Sequence, residues 1–547
     1  GDDEHDDRLG AQGPHPDAQR DEEEEREDPA GEDGPRRVRH GRAGSGSAIS
    51  TRRRPQNVER EPSDAEPVLT AAEQRVMDRN AEYFGVSILD LMEAAGRAVA
   101  DVARSEFPIK GKKVLVVCGT GNNGGDGLVA ARALKDEARV TVLLAKPAKD
   151  LATREARANF ERLGSGVEVV EGPARSEKLF KEADLIVDAL LGIGVHGEIR
   201  EPYATLIREM NASGKPILSV DVPSGFQATP SVRATVTVAL IDVKEGMTEA
   251  TAGKVRVVDI GFPKEVMELV GPGEFLYYPV PRPDSHKGQN GRLLVVGGGP
   301  FTGAPAFVGL AAYRIGVDVV HIATPSIAFE PVAAYSPNLI VHPLPGSRFL
   351  KTDVGPILEI ASGMDAAVIG PGLGASDATK DAIRVLVRSL NVPMVLDADA
   401  LTAAGEDLSC LAGKRGIVTP HRKEFEVLSG TTLPTELPAK VEAVKAFAKK
   451  IGLTVLMKGS PDVISDGTSY RKNKVHNVGM TKGGTGDSLA GICGALLSKK
   501  LPPFIAARMA AFANGYAGNL AFEEKSYGIL TTDLIEKIPR VLKDFVP

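Results

Sequence analysis

The stretch Thr481–Gly491, TKGGTGDSLAG, sets Gly483, Gly484 and Gly486 directly ahead of Asp487 and Ser488. From Leu489 the sequence turns helical and rich in small residues, so the loop is expected to feed a helix N-terminus with Asp487 and Ser488 in cap positions. Backbone N–H groups left uncovered there, at the positive end of a helix dipole, suit a phosphate. The Asp487 carboxylate has no cationic side chain beside it in sequence. Taken alone, a GxGD reads as an acidic cap after a flexible loop. Its counterparts elsewhere in the chain argue for more.

A second glycine-rich loop, GTGNNGGDG (119–127), follows the apolar run VLVVCG (114–119) and precedes a helix expected to start near Leu128. It is neither the GxGxxG fingerprint nor a Walker A sequence. Its Asn122, Asn123 and Asp126 can supply oxygen ligands to a cation as well as hydrogen bonds. Asp188 closes the run LIVDALLG (185–192), which leads into a further glycine loop, GIGVHGE (192–198). Asp221 closes PILSVDVPSG (216–225). Any one of these aspartates could be a turn or helix cap. Three of them at strand ends point to one cleft.

The C-terminal half repeats the pattern. Phe301–Pro305 (FTGAP), Gly370–Gly374 (GPGLG), Asp397–Asp399, Thr419–His421 and Lys458–Ser460 each follow an apolar run, and TKGGTGD comes last. A lone His421 or Lys458 would read as a capping or solvated side chain; an ordered series of such strand ends reads as a site.

These loops need rigid elements behind them. In the first region, runs at 114–119, 140–145, 167–170, 185–192 and 216–225 alternate with helical patterns such as SILDLMEAAGRAVADVARSEF (87–107). In the second, runs at 293–299, 317–324, 366–374, 393–401, 416–421 and 454–459 do the same, with a hairpin at PDVISDG and SYRKNK. Alternating strands and helices predict α/β architecture with parallel sheets covered on both faces, ligands lying beyond the carboxyl ends of the strands. The expected organisation is a charged, disordered extension (1–64), an N-terminal parallel-sheet domain (65–274) that resembles Rossmann-type folds, and a C-terminal α/β domain (275–547) whose glycine-rich strand ends and GxGD cap resemble ribokinase-like folds. The proline-punctuated YYPVPRPD (277–284) is the crossing between the two.

At 547 residues the chain exceeds one ordinary core. Its net charge of −7 argues against nucleic acid as the main partner. No stretch offers the run of about 18 apolar residues that spans a membrane. Cys118, Cys410 and Cys493 lack metal or redox spacing and are expected to be small buried hydrophobes in a reducing, cytoplasmic setting. The first 64 residues hold DEEEERED and arginine-rich runs with too few apolar residues for a core. They read as a dispensable extension, as an interaction tail, or as lying upstream of a true start near Val68.

Together, LTAAEQRVMD, GNNGGDG, DALLGIGVHGE and SVDVPSG resemble the N-terminal domain of NAD(P)H-hydrate epimerases, over about 70–262. The resemblance implies interconversion of the R and S forms of hydrated nicotinamide dinucleotides. It assigns substrate contacts to Asn122, Asn123, Gly124, Gly125 and Asp126, to Gly192, Ile193, Gly194, Val195, His196, Gly197 and Glu198, and to Tyr203 and Asp221. It assigns a potassium ion to Asn123, Asp188 and Ser224. A buried carboxylate is the expected proton relay, Asp188 slightly ahead of Asp221.

HKGQNGRLLVVGGGPFTGAPAFVG, GPGLG, LDADAL, VTPHRKEF and GGTGDSLAG are similar to the ADP/ATP-dependent NAD(P)H-hydrate dehydratases, a ribokinase-like group, over about 284–540. The resemblance implies that Asp487 is the base on the hydrate's hydroxyl, and that Ala304, Gly372 and His421 contact the hydrate. Lys458, Gly459, Ser460, Pro461, Asp462, Gly484, Thr485 and Gly486 would line ADP or ATP with magnesium. Where that family pattern has Ala-Thr, this chain has Thr481-Lys482, and Lys482 is expected to face solvent. The implied partners are the hydrates and the nucleotide, with neither nucleic acid nor membrane, in a homo-oligomer. The competing readings are a small-molecule kinase with a regulatory N-terminal domain, and an N-terminal region that only binds.

Overall fold

The computed structural model describes residues 70–547; the expectations about residues 1–64 lie outside the described residues. The N-terminal lobe is built on strands β1 (Lys113–Cys118), β2 (Arg139–Leu144), β3 (Glu168–Glu171), β4 (Leu185–Ala189), β5 (Ile217–Val220), β6 (Val236–Leu240) and β7 (Lys254–Val258). They form one parallel sheet in the order β3-β2-β1-β4-β5-β6-β7. The chain winds outward from β1 to one side and resumes at β4 on the other. Between those two strands lies the switch point where a doubly wound sheet opens a crevice.

The second lobe repeats this topology. Its strands are β8 (Arg292–Val296), β9 (Val319–Pro325), β10 (Ile340–Leu344), β11 (Ala366–Ile369), β12 (Met394–Leu396), β13 (Gly416–Val418), β14 (Thr454–Met457), β15 (Asp462–Ser465) and β16 (Tyr470–Asn473). The order is β10-β9-β8-β11-β12-β13-β14-β15-β16, with only the last two pairings antiparallel. The central strands are fully buried and mostly apolar, with Asp188 in β4, Ser219 in β5 and Thr454 in β14 as buried polar exceptions.

Three strands went beyond the sequence expectation. β7 and β10 are partly exposed edge strands with charged or polar residues inside them, and β6 carries a buried threonine, Thr237, whose hydroxyl is satisfied by the Ala252 carbonyl. Weakly apolar patterns of this kind do not stand out from loops. The hairpin fell where expected, and Cys118, Cys410 and Cys493 are free and buried. No helix among the described residues is long and apolar enough to cross a membrane.

Both glycine loops proved more helical than their composition suggests. Helix α1 (Ala71–Tyr83) starts at a Thr70 cap, and α2 (Ile88–Glu106) at Ser87, whose hydroxyl accepts from the Asp90 N–H. Helix α3 runs Asn122–Leu134, so it begins six residues before Leu128. The glycines let its first turn lie against the strand end: a Cβ on Gly124 would stand 2.1 Å from the Gly119 carbonyl oxygen. In the second lobe the helices that frame the site are α4 (Gly303–Arg314), α5 (Arg422–Ser429), α6 (Thr485–Ser498) and α7 (Pro503–Lys525). Helix α6 is capped by Gly484 at φ +96°, so Asp487 is its third residue and not its cap.

The lobes are tied by a buried ion cluster and a shared sheet edge. Arg508 of α7, 2% exposed, contacts both Glu73 oxygens of α1 at 2.9 and 3.1 Å and Glu274 at 2.7 Å. Arg471 and the Tyr277 hydroxyl also reach Glu73. Beside them the 268–270 segment pairs with Lys472 of β16 through two backbone hydrogen bonds. The proline-rich crossing is anchored as well, with Tyr278 donating to the Ile315 carbonyl.

Removing one member of such a cluster strands its partners' charges. Arg508→Ala is expected to cost about 3–5 kcal/mol in chemical denaturation. Arg540→Ala, which breaks the half-exposed helical pair with Asp544, should cost under about 1 kcal/mol.

Candidate functional site

At the switch point of the first sheet lies a cavity of about 670 Å³. Its floor comes from the loops after β1 (Thr120–Asn123) and β4 (Leu190–Ile193), with Asp126, Tyr203 and Asp221 beside them. The wall is α1, through Arg75, Asp78, Arg79 and Glu82. Asn123 lies against Gly192, and the Thr120 and Tyr203 hydroxyls stand 3.3 Å apart.

Most of the predicted residues therefore converge, though not all face the cavity. Gly124 is buried against the backbone of Gly119 and Gly125 against Met92 of α2. Gly194 at φ +109° lies beside the Arg75 guanidinium. Val195 packs on the apolar core, and His196, Gly197 and Glu198 are exposed, the last two pairing with Ala228–Thr229.

The two candidate relays sit in different environments. Asp188 is wholly buried and accepts from Ser219 Oγ (2.8 Å), Ser224 N (2.8 Å), Ser224 Oγ (2.5 Å) and Leu190 N (3.4 Å). Burial raises its carboxyl above the ordinary carboxylate range, against the pull of those donors. Asp221, at φ +63°, is paired at 2.7 Å with Lys244, a lysine with no exposed surface. The Lys244 ammonium is held further by the Leu240 and Asp242 carbonyls.

Two more carboxyls face this pair without a cation of their own. Burial, Asp221 and Asp78 push Asp126 well above its usual range. Asp78 is pushed up to about 7 by burial and Asp221, with Lys244 opposing. Asp78, Arg79 and Lys244 were missed from the sequence. Asp78 ends the LTAAEQRVMD stretch, but a single aspartate on an amphipathic helix looks solvated.

The residues proposed for potassium fit a hard cation. They offer a carboxylate, a hydroxyl and an amide, and the buried Asn123 amide nitrogen has no hydrogen-bond partner. The two ends of an amide are interchangeable in assignment, so that edge can present its oxygen to an ion.

In the second lobe the strand-end loops also gather at the switch point. The Gly298 N–H donates to the Pro371 carbonyl. A Cβ on Gly372 would stand 3.3 Å from that of Ala304, which makes the two neighbours. Lys458 links the other loops: its ammonium is 2.8 Å from Asp397 and 3.6 Å from Glu424, and 3.4 Å from where a Gly486 side chain would begin. Asp397 also accepts from Thr419 Oγ1 at 2.8 Å.

His421 caps α5, its Nδ1 accepting from the Glu424 N–H, and its ring is exposed. The loop at Gly459–Asp462 closes on itself through Gly459 N to Asp462 Oδ1, and Lys440, absent from the sequence reading, holds the Pro461 carbonyl at 3.0 Å. Ser460 is exposed at its tip.

Asp487 is half-buried, and its carboxyl is pushed up to about 7 by burial, Asp397 and Glu424, with Lys458 opposing. The first turn of α6 is fastened by Asn514 of α7, which donates to the Thr485 carbonyl and accepts from Ser488 Oγ. Thr531 donates to the Gly483 carbonyl. Lys482 is exposed, as expected, and donates to the Tyr527 carbonyl. The carboxylates of Asp397, Glu424 and Asp487 near the glycine loop are oxygen donors of the kind magnesium takes.

Residues 293–540 match the family model for NAD(P)H-hydrate dehydratase, and residues 88–246 match that for the YjeF-related protein N-terminus. The bifunctional NAD(P)H-hydrate repair enzyme of Pyrobaculum aerophilum is 42% identical over 504 residues, covering 87% of this chain and 98% of that protein. Its counterpart in Hyperthermus butylicus is 41% identical, covering 87% of this chain and 92% of that protein. A crystal structure of ADP/ATP-dependent NAD(P)H-hydrate dehydratase from Bacillus subtilis, with ATP and Mg2+, aligns with a TM-score of 0.42 at 25% identity. It covers 50% of this chain and 96% of its own.

The electrostatic balance at Lys458 makes a prediction. The Asp487 carboxyl should titrate near pH 7 by carboxyl-carbon NMR, and Lys458→Met should move that midpoint upward, because among the described residues it removes the cation that lowers it. An unchanged midpoint would mean that Lys458 does not set the charge of Asp487.

Proposed function

The chain belongs to the family of bifunctional NAD(P)H-hydrate repair enzymes, and on that premise we propose that each switch-point site carries one of the two activities. The division falls near residue 275. The N-terminal lobe epimerises the R and S hydrates, and the C-terminal lobe dehydrates the S epimer to NAD(P)H, consuming ADP and releasing AMP and phosphate.

In the C-terminal site, Asp487 takes the proton of the C6 hydroxyl as the terminal phosphoryl group passes from the nucleotide to that oxygen. Loss of a ring proton and of phosphate then restores the double bond. Phosphate is a far better leaving group than hydroxide, which is why a phosphoryl-transfer scaffold suits a dehydration. The amides of Gly484, Thr485 and Gly486 face the transferred group as an anion hole. Lys458 and the Gly459–Asp462 loop line the nucleotide, with Ala304, Gly372 and His421 toward the hydrate. Magnesium brought with the nucleotide would neutralise phosphate charge there.

The observation that carries this reading is the position of Asp487. It stands on the first turn of a glycine-capped helix with its carboxyl poised near 7, beside a lysine shared with Asp397.

In the N-terminal cavity, Arg75 and Arg79 suit the diphosphate of a dinucleotide, while Tyr203 and the Asn122–Asp126 turn face its nicotinamide half. Asn123, Asp188 and Ser224 would hold a potassium ion, which supplies a fixed positive charge to that wall. With no exposed surface and its oxygens taken by buried donors, Asp188 is poorly placed as a proton relay. A cytoplasmic homo-oligomer is the expected setting.

Asp487→Asn should lower nucleotide-dependent dehydration of the pure S epimer by at least about 100-fold and leave epimer interconversion unchanged. Since the base must be ionised, wild-type kcat/KM for dehydration should rise with pH through about 7 and level off above it. Near-normal dehydration by Asp487→Asn would remove the assigned base.

A further inference from the structure

Asp78, Asp126 and Asp221 line the N-terminal cavity, with Asp188 and one ammonium buried behind the lining. The ammonium, Lys244, is committed to Asp221 at 2.7 Å and to two backbone carbonyls. Asp221 is further fixed by the Leu240 N–H at 3.3 Å. Asp126 is 8% exposed on α3, behind the glycine turn. Asp188 has four donors and no exposed surface. Asp78 is different: it opens into the cavity and accepts no hydrogen bond from a described residue. Glu82 and Glu155 also line the cavity, but of its accessible acidic groups Asp78 is the one that faces Asp221 and Lys244.

We propose that Asp78 is a catalytic residue of epimerisation, exchanging the proton of the hydrate's C6 hydroxyl from the α1 side of the cavity. The inference rests on the epimerase reading of this lobe. Interconversion requires the C6–O bond to break and re-form on the opposite face. The ring-nitrogen lone pair moves into a C=N bond as the hydroxyl, protonated by the Asp78 carboxylic acid, departs as water. Water then adds to C6 from the other face, the C=N electrons return to nitrogen, and the added water gives its proton to the Asp78 carboxylate. Proton, water and electron pair are all recovered, and no oxidant or reductant is needed.

One carboxyl can serve both half-reactions only if neither of its protonation states is strongly disfavoured, and Asp78 is poised near neutrality. Burial sets this first, then Asp221 and Lys244 from the strand ends; Asp126 on α3 and Glu155 also face the cavity. On its own helix, Arg75, Arg79 and Glu82 line the same cavity. The segment Pro272–Tyr277 packed against α1 turns its ionisable groups, Glu274 and Tyr277, to the ion cluster around Arg508 and Glu73. Lys264 and Glu265 lie on the short helix that also packs there, with Glu265 paired to Lys474.

The test uses the full chain and purified R hydrate of NADH, without nucleotide, with S formation followed by chromatography across pH 5.5–8.5. Asp78→Asn should slow interconversion by at least about 100-fold and lose the pH–rate inflection near 7, while nucleotide-dependent dehydration of the S epimer is unchanged. Asp78→Glu should recover part of the rate with a displaced inflection. A smaller fall in the Asn variant, or an inflection that persists in it, overturns the proposal. Should Asp78→Asn fail to fold, as lost dehydration would reveal, a wild-type inflection in Asp78→Glu overturns it instead. If the wild-type chain leaves the R hydrate unconverted, it is the epimerase reading itself that falls.

Discussion

In each lobe one buried lysine faces more carboxyls than it can neutralise. Lys244 is paired to Asp221 with Asp78 and Asp126 beyond it, and Lys458 is paired to Asp397 with Glu424 and Asp487 beyond it. Placed in water, all these acids would be ionised at neutral pH. In a partly dry cleft the first pair satisfies itself, and Asp78, Asp126 and Asp487 are driven toward protonation by burial and by neighbouring carboxylates. A carboxyl with a pKa near 7 results in each site, which is what proton transfer at neutral pH requires. The cost is borne by the sheets, whose buried cores hold these groups together.

The fold delivers this arrangement twice by the same route. Each sheet reverses its strand order between its first strand and its fourth, and the crevice that opens there receives loops from several strand ends. Glycines let backbone approach backbone at these points, pressing α3 onto the end of β1 and turning α6 out of a left-handed cap. Helices α1 and α7 join the two halves. Glu73 and Asp78 lie on one helix, Arg508 and Asn514 on another, so the lobe contact and both sites share the same rigid bodies.

Much of this was legible in the sequence because the signals were local. Runs of buried strand residues, GNNGGDG and GGTGD, and aspartates at the ends of apolar runs all declare themselves within a few residues. Helix starts were misplaced by the same glycines that marked the sites: a glycine run reads as loop, whereas here it is the first turn of a helix packed too closely for side chains. The charge balance was not legible. Asp78 meets Asp221 and Lys244 only after the sheet has been wound, and Lys440 reaches Pro461 across a strand. Nor could the sequence choose between Asp188 and Asp221, whose difference lies in the hydroxyls and ammonium that folding brings to them.

Two complementary activities on one damaged cofactor reside in this chain. The direct measurement is spectrophotometric, with purified protein, ADP, magnesium and potassium added to an equal mixture of R and S hydrates of NADH. Recovery of the reduced nicotinamide absorbance is followed to completion. Full recovery is the predicted result, the R form being drawn through epimerisation into dehydration. Recovery that halts when the S fraction is spent would contradict the account.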